Sequence, residues 1–198
     1  MNRAQTEQKI ELDLPTLDQL STEMKRIRYK KKFIKTIFST ISSLIVVAAI
    51  AVLISMLFLP VLRVTGSSMT PTLHSDELVI CNKHSAYSNG DVVAFYLNNK
   101  ILLKRVIGMP GDWINIEADG SVFVNGKELD EPYVDEKAFG ECDIEFPYQV
   151  PENRFFVMGD HRATSVDSRV ASVGCIADEY IIGKVIFRLW PFEQVGTV

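Results

Sequence analysis

Between Lys35 and Arg63 the chain carries no charged residue for 27 positions, "TIFSTISSLIVVAAIAVLISMLFLPVL". Nothing else in the 198-residue sequence restricts the fold as strongly. Its most apolar part, residues 41–59, would extend about 28 Å as an α-helix at roughly 1.5 Å per residue, against a hydrocarbon core of about 30 Å. The run is apolar on every side, whereas a helix packed into a soluble core would be shorter or amphipathic. A transmembrane helix is therefore expected over 37–62. A cleaved secretory signal has an apolar region of only about 7–15 residues and a small-residue cleavage site. This segment is longer and its exit, "LFLPVLRV", is bulky, so it reads as an uncleaved signal anchor.

Charge orients the anchor. Residues 1–35 hold nine Lys/Arg against five acids, and "KRIRYKKKFIK" (Lys25 to Lys35) holds seven cations with no acid, while only Arg63 stands close to the other end. By the positive-inside bias, residues 1–36 form a cytoplasmic basic segment, and residues 63–198 form an extracytoplasmic domain on a single-pass protein of the cell membrane. The whole chain has a formal charge of -4, so the part beyond residue 35 is strongly acidic. A basic head on an acidic body excludes a nucleic-acid binder, whose folded domain would carry the basic footprint. The stretch "LDLPTLDQLSTEMKRIRYKKKFIK" reads equally as an amphipathic helix or as disordered chain.

From Val64 onward no sustained helical period appears. Short runs rich in Val, Ile and Phe take over: "ELVICNK", "DVVAFYL", "KILLKRVIG", "WINIEA", "SVFVNGKEL", "RFFVMGD" and "YIIGKVIFRLW". Turn signals such as Asn98-Asn99, Pro110-Gly111-Asp112 and Asn125-Gly126 punctuate them. The expected fold class is mainly β, one N-terminal transmembrane helix followed by a β-rich domain. Cys81, Cys142 and Cys175 are odd in number and match no metal spacing, and the three histidines are scattered; no metal and no cofactor is implied. A Cys142–Cys175 bridge and three buried thiols both remain open.

Three segments could carry chemistry. "VTGSSMTPTL" (64–73) is either a spacer of small polar residues or a turn that presents a nucleophile next to the bilayer. In "KILLKRVIG", alternation puts Leu102, Lys104 and Val106 on one strand face and Leu103, Arg105 and Ile107 on the other. Two adjacent cations in an apolar strand cannot share one solvent face, so at least one is partly desolvated, unless the strand lies at an edge and the lysine snorkels. Desolvation lowers a lysine's pKa. A free lysine near ~10.4 must fall by about 3.4 to be half neutral at pH 7, a cost of roughly 4.6 kcal/mol, which burial can supply. Such an amine can act as a general base without histidine if a hydroxyl such as Ser68 is in reach. "FFVMGDHRATSVDSRVASVG" is either a solvated loop with local ion pairs or a set of groups that orients a lysine and a serine.

Taken in order behind one anchor, "GSSMTPTL", "DVVAF", "KRVIGMPGD" and "MGDHRATSVDSR" resemble the type I signal peptidases of bacteria, most closely the single-span enzymes of Gram-positive species. The resemblance runs from about residue 37 to the terminal "IIGKVIFRLWPF". It implies a LexA-like β-rich catalytic domain and a membrane-anchored serine endopeptidase that removes signal peptides from preproteins through an acyl-enzyme. By position, Ser68 would be the nucleophile, Lys104 the general base, and Ser165 the serine that orients the lysine. Asp167 and Arg169 would pair beneath the site and Asp160 would pair with Arg105. The Ser68 backbone N–H would be one oxyanion donor; Gly66 stands where many two-span relatives have a serine whose side chain supplies a second. His161, Ala163 and Thr164 depart from the family's common "GDNRDNSxDSR". The implied partners are preprotein signal peptides with small residues at the first and third positions before the cut, the lipid bilayer and the secretion translocon. Val64, Ile80 and Val93 could line shallow apolar subsites.

Four residues separate Arg63 from Ser68, and an extended chain covers at most about 3.6 Å per residue, so the serine stays near the end of the span, where a signal peptide presents its cleavage point. Three rival readings stand beside this one, two within the proteases and one of a different class. A Ser/His dyad would need histidine where Lys104 stands, a self-cleaving repressor would need a DNA-binding segment, and an anchored, inactive β-domain would only bind peptides.

Overall fold

A computed structural model describes residues 16–198. The first element, helix α1, runs unbroken from Leu17 to Phe58. Thr16 and Gln19 begin it reciprocally: the Thr16 N–H donates to Gln19 Oε1 (2.9 Å) and the Gln19 N–H to Thr16 Oγ1 (3.4 Å), which satisfies two otherwise orphaned N–H groups. Pro60 has no N–H and cannot extend the ladder, so the helix ends and an extended segment begins. The helix is thus shorter at its C-terminal side than the span expected over 37–62, since Val61 and Leu62 already lie in a strand. Of the two sequence readings for residues 12–35, helix holds from Leu17; residues 12–15 lie outside the described part. Among the described residues α1 is the one helix long and apolar enough to cross a membrane.

The β-domain contains twelve short strands: β1 (Val61–Arg63), β2 (Leu78–Asn82), β3 (Val92–Leu97), β4 (Lys100–Gly108), β5 (Trp113–Ile116), β6 (Val122–Val124), β7 (Lys127–Glu128), β8 (Tyr148–Gln149), β9 (Arg154–Met158), β10 (Ile176–Ala177), β11 (Ile181–Trp190) and β12 (Gly196–Thr197). One sheet has the order β1-β2-β11-β3-β4-β9-β10, with β12 added to β11; a smaller sheet has the order β7-β6-β5-β8. All pairings are antiparallel. Asn98 and Asn99 join β3 to β4 with φ of 47° and 61°, and Asn125-Gly126 join β6 to β7 with 52° and 77°. These are the left-handed conformations a two-residue hairpin requires and asparagine tolerates.

Strand β4 is the central feature. Its alternation feeds three apolar clusters: Val106 packs with Val93, Phe95 and Val157; Leu103 packs against Val64, Met69 and Val92; Ile107 packs with Ile114, Phe156 and Met158. Lys104 lies opposite Val93 and Arg105 opposite Val92 in the β3–β4 register. Both cations therefore project from a strand whose neighbours on each face are core residues. The three cysteines are free. Cys81 and Cys175 fill two different clusters, and burial pushes their thiols up to about 12 and about 11. The Cys142–Cys175 bridge is not formed; the Cys142 Sγ points to the Ile144 carbonyl instead (3.5 Å).

Candidate active site

The segment 64–73 is a structured turn rather than a spacer. The Val64 N–H donates to Glu77 O (2.8 Å) and the Asp76 N–H to Val64 O (2.9 Å), which fixes the entry. Gly66 turns the chain with φ of +87°, a conformation that glycine adopts without steric cost. Thr70 donates to Ser67 O from its N–H (3.1 Å) and from Oγ1 (2.8 Å), and Leu73 N–H closes a helical turn on Met69 O (2.8 Å). Met69 and Leu73 are buried in the cluster with Val64 and Val92, so two apolar side chains seat the turn on the sheet. Ser68 directly precedes Met69 and is half-buried, with its carbonyl accepting from the His161 N–H (3.1 Å).

Lys104 is 3 % exposed. Its Nζ donates to Ser165 Oγ at 2.7 Å, a contact between two buried side chains that fixes the amine in place. Burial lowers the lysine's pKa from 10.5 to about 8; the Asp167 and Asp160 carboxylates push it back up, while the Arg169 guanidinium pushes it down. Desolvation is the largest of these influences and it wins because Asp167 is itself paired with Arg169. Roughly a tenth of the amine is then neutral at pH 7, several hundred times the fraction in a free lysine. Ser68 and Lys104 line the same cavity of about 520 Å³, whose walls include Gly66, Leu102 and Thr164. Ser68 also borders a second depression of about 220 Å³, between β1 and residues 101–103 of β4.

The loop after β9 turns its ion-pairing groups and serines inward while His161, Ala163, Thr164 and Val166 stay exposed: Asp160, Arg162, Ser165, Asp167, Ser168 and Arg169 are each at most 2 % exposed. Asp167 and Arg169 form a two-pronged pair, Nε to Oδ1 at 2.8 Å and Nη2 to Oδ2 at 2.9 Å. Asp167 Oδ2 also accepts from the Gly159 N–H (3.0 Å). Arg169 then holds four backbone carbonyls, those of Phe139 (2.7 Å), Arg162 (2.9 Å), Ser165 (3.3 Å) and Ala138 (3.4 Å). A Cβ on Gly159 would sit 2.5 Å from the Ser68 carbonyl oxygen and overlap Ser165 Oγ. The glycine is thus what lets the end of β9 pass between these two serines.

On the opposite face of β4, Arg105 pairs with Asp160 through Nε–Oδ1 (2.8 Å) and Nη2–Oδ2 (2.6 Å), and donates to Gly90 O (2.6 Å). Its guanidinium lies 3.8 Å from the Tyr133 ring centroid. The two cations of β4 thus meet the loop after β9 on opposite faces of the strand, Lys104 through Ser165 and Arg105 through Asp160. Val64 lines the depression beside Ser68, whereas Val93 is core and Ile80, in mid-β2, borders neither cavity.

Sequence reasoning missed a third buried pair, Arg162 with Glu131, supported by the Tyr133 hydroxyl donating to Glu131 Oε1 (3.1 Å). Glu131 sits 31 positions from Arg162 in a stretch without a regular pattern, so no local periodicity announces it. It also missed Thr72, whose hydroxyl touches both Asp160 and Arg105, and Ser168, whose Oγ accepts from the Val157 N–H (2.9 Å). Among the described residues no histidine hydrogen-bonds to the Ser68 hydroxyl; the ring of His161 is exposed and meets Thr164 Oγ1 (2.8 Å).

Comparison with known proteins gives a consistent set. Residues 37–190 match the family described as signal peptidase, peptidase S26. Signal peptidase I S of Bacillus subtilis is 34 % identical over 185 residues, covering 87 % of this chain and 98 % of that protein. Signal peptidase I of Bacillus caldolyticus is 42 % identical over 148 residues, covering 66 % of this chain and 79 % of that protein. Signal peptidase IB of Staphylococcus aureus (strain COL) is 35 % identical over 181 residues, covering 81 % of this chain and 93 % of that protein.

Proposed function

The chain belongs to the S26 family of signal peptidases, serine peptidases that remove signal peptides from preproteins, and on that premise we propose that Ser68 is its nucleophile and Lys104 its general base. The observation that carries this reading is a lysine 3 % exposed, pinned by Ser165 at 2.7 Å, that opens onto the same cavity as a serine on a braced turn. A neutral Lys104 that donates one N–H to Ser165 keeps its lone pair for the Ser68 hydroxyl. Ser68 Oγ attacks the scissile carbonyl carbon as its proton passes to Lys104 Nζ. The tetrahedral adduct collapses, the C–N bond breaks, and the ammonium returns that proton to the departing amine of the mature protein. Water then attacks the ester carbonyl while Lys104 takes its proton; the bond from the carbonyl carbon to Ser68 Oγ breaks, the ammonium returns the proton to Oγ, and the signal peptide leaves with a free carboxylate. The developing oxyanion is met by the Ser68 backbone N–H; Gly66 has no side chain to add a second donor.

Substrate recognition follows from two open edges. β1 pairs only with β2, and residues 100–104 of β4 pair only with β3, because β9 joins from Arg105 onward. The depression between them is lined mainly by apolar side chains, among them Leu62, Val64, Ile101 and Leu103. An extended peptide laid there pairs with free backbone groups and places uncharged side chains against the walls. This supports cleavage after small residues at the first and third positions before the bond. The basic flank of α1 supports a cytoplasmic N-terminus and an extracytoplasmic peptidase domain from about residue 63, with the bilayer and the secretion translocon as neighbours.

The test is processing of a secretory precursor by the purified full-length chain in detergent, with the cleavage point read by mass spectrometry. Ser68→Ala and Lys104→Met are each expected to abolish processing while the domain stays folded. Cleavage that survives Lys104→Met contradicts the assignment of the base.

A further inference from the structure

Arg188 belongs to none of the groups assigned above, yet its side chain reaches the turn that carries Ser68. It lies near the end of β11 with its side chain 16 % exposed. Its guanidinium extends in three directions: Nη2 donates to the Thr72 carbonyl (2.5 Å), Nη1 to Gln194 Oε1 (2.7 Å), and Nε lies 3.1 Å from Glu77 Oε2. Glu77 is 3 % exposed, and its backbone carbonyl accepts the Val64 N–H (2.8 Å). One end of the turn is therefore tied to the main chain of Glu77, and the other end to a cation facing the Glu77 side chain. Thr72 is shared again, since its hydroxyl contacts Asp160 and Arg105 from the opposite side.

We propose that Arg188, seated against Glu77, is a positioning residue for the nucleophile: by holding the Thr72 carbonyl it fixes the turn between Val64 and Leu73, and thereby the place of Ser68 relative to Lys104. The physical case rests on burial. Nε of Arg188 and Oε2 of Glu77 have no hydrogen-bond partner, although they stand at ion-pair distance. Two buried polar atoms left with imperfect geometry are unfavourable for stability alone. The arrangement is accounted for by the third prong, which needs the guanidinium turned toward Thr72. Lys104 is held by a different group, Ser165, whose carbonyl in turn accepts from Arg169, so the two halves of the dyad have separate supports. This inference rests on Ser68 and Lys104 being that dyad.

The test compares Glu77→Gln with the double variant Glu77→Gln/Arg188→Met in the full-length chain, so that no unpaired buried carboxylate confuses the result. Relative to Glu77→Gln, the double variant is expected to lose about tenfold or more in kcat, the scale of a sub-ångström to one-ångström misplacement, with KM changed by less than about twofold. The midpoint of the rate-versus-pH profile should not move, because Lys104 keeps its surroundings. Should the double variant fail to fold, Arg188→Lys keeps a charge opposite Glu77 but replaces the fork by one point donor, and a loss in kcat of about threefold is expected. A folded variant of either kind with unchanged kcat, or with KM alone altered, overturns the proposal. Ser68→Ala run alongside separates the two levels: residual cleavage there removes the dyad itself, whereas a dead Ser68→Ala beside an unaffected Arg188 variant removes only the brace.

Discussion

At the scale of single residues, the site depends on a lysine kept dry beside a neutralised carboxylate. Arg169 cancels much of the pull of Asp167 on the Lys104 proton. Replacing Arg169 with Gln should therefore raise the lysine's pKa and shift the kcat/KM profile to higher pH by about one unit, besides destabilising the fold by roughly 3–5 kcal/mol through an unpaired buried charge. Gly159→Ala should lower kcat by about a hundredfold, since the new methyl displaces either Ser165 or the Ser68 backbone; steady-state kinetics on a precursor measure this. Burial of the amine also has a stability consequence. The folded pKa, about 8, is below the unfolded 10.5, so the unfolded chain binds more protons between these values and stability rises with pH across that window. Below about pH 8 the charged amine is unfavourable by roughly 3 kcal/mol. Lys104→Met should accordingly unfold at a higher temperature than the parent chain at pH 7, with the difference fading as pH rises toward 10.5. The adjacent cations of β4 made this legible in the sequence as an alternative, a buried or a snorkelling lysine. Which of the two holds depended on β3 pairing beside Lys104 and on the loop after β9 bringing Ser165 onto it, a long-range fact that alternation cannot supply.

At the scale of elements, the long strands were readable because their apolar runs are bounded by asparagine and glycine turns that permit positive φ. β2, β3, β4, β9 and β11 each lie within an expected run, and "SVFVNGKEL" divides at Asn125-Gly126 into β6 and β7. Four other strands of two or three residues, β1, β8, β10 and β12, were not legible. Such segments have too little pattern of their own and exist because a neighbour pairs with them. The same holds for the stretch around Glu131, whose place is set by Arg162 across 31 positions of chain. The dyad candidates were visible through motif resemblance, while Thr72, Glu131 and Arg188 emerge only when the chain is folded, since each acts through partners remote in sequence. The open edge of β4 leads to an element-level expectation. Alternate backbone N–H groups between Lys100 and Lys104 should exchange quickly in the free enzyme and become protected when a non-cleaved precursor binds to Ser68→Ala, as read by hydrogen exchange. No change in protection there would place the peptide elsewhere.

At the scale of the molecule, a chain that removes signal peptides must meet a substrate whose apolar segment stays in the bilayer. Five positions after Arg63 the chain reaches Ser68, so the proposed nucleophile is only a short length of chain from the apolar segment, as cutting a peptide whose own apolar segment is membrane-held would require. The cation cluster between Lys25 and Lys35 predicts that a tag at the C-terminus is digested by protease added to intact spheroplasts while one at the N-terminus survives; the reverse pattern would invert the proposed topology. In the whole enzyme, substrate closing over the cavity should exclude further water from Lys104, so the midpoint of the kcat profile should lie at or below that of kcat/KM. The central claim is that one amine is desolvated enough to work as a base. It is tested most directly by following the Lys104 side-chain NMR signal through a pH titration of full-length Ser68→Ala in detergent. A midpoint near the value of about 8 supports the account, and a midpoint near the 10.5 of a free lysine contradicts it.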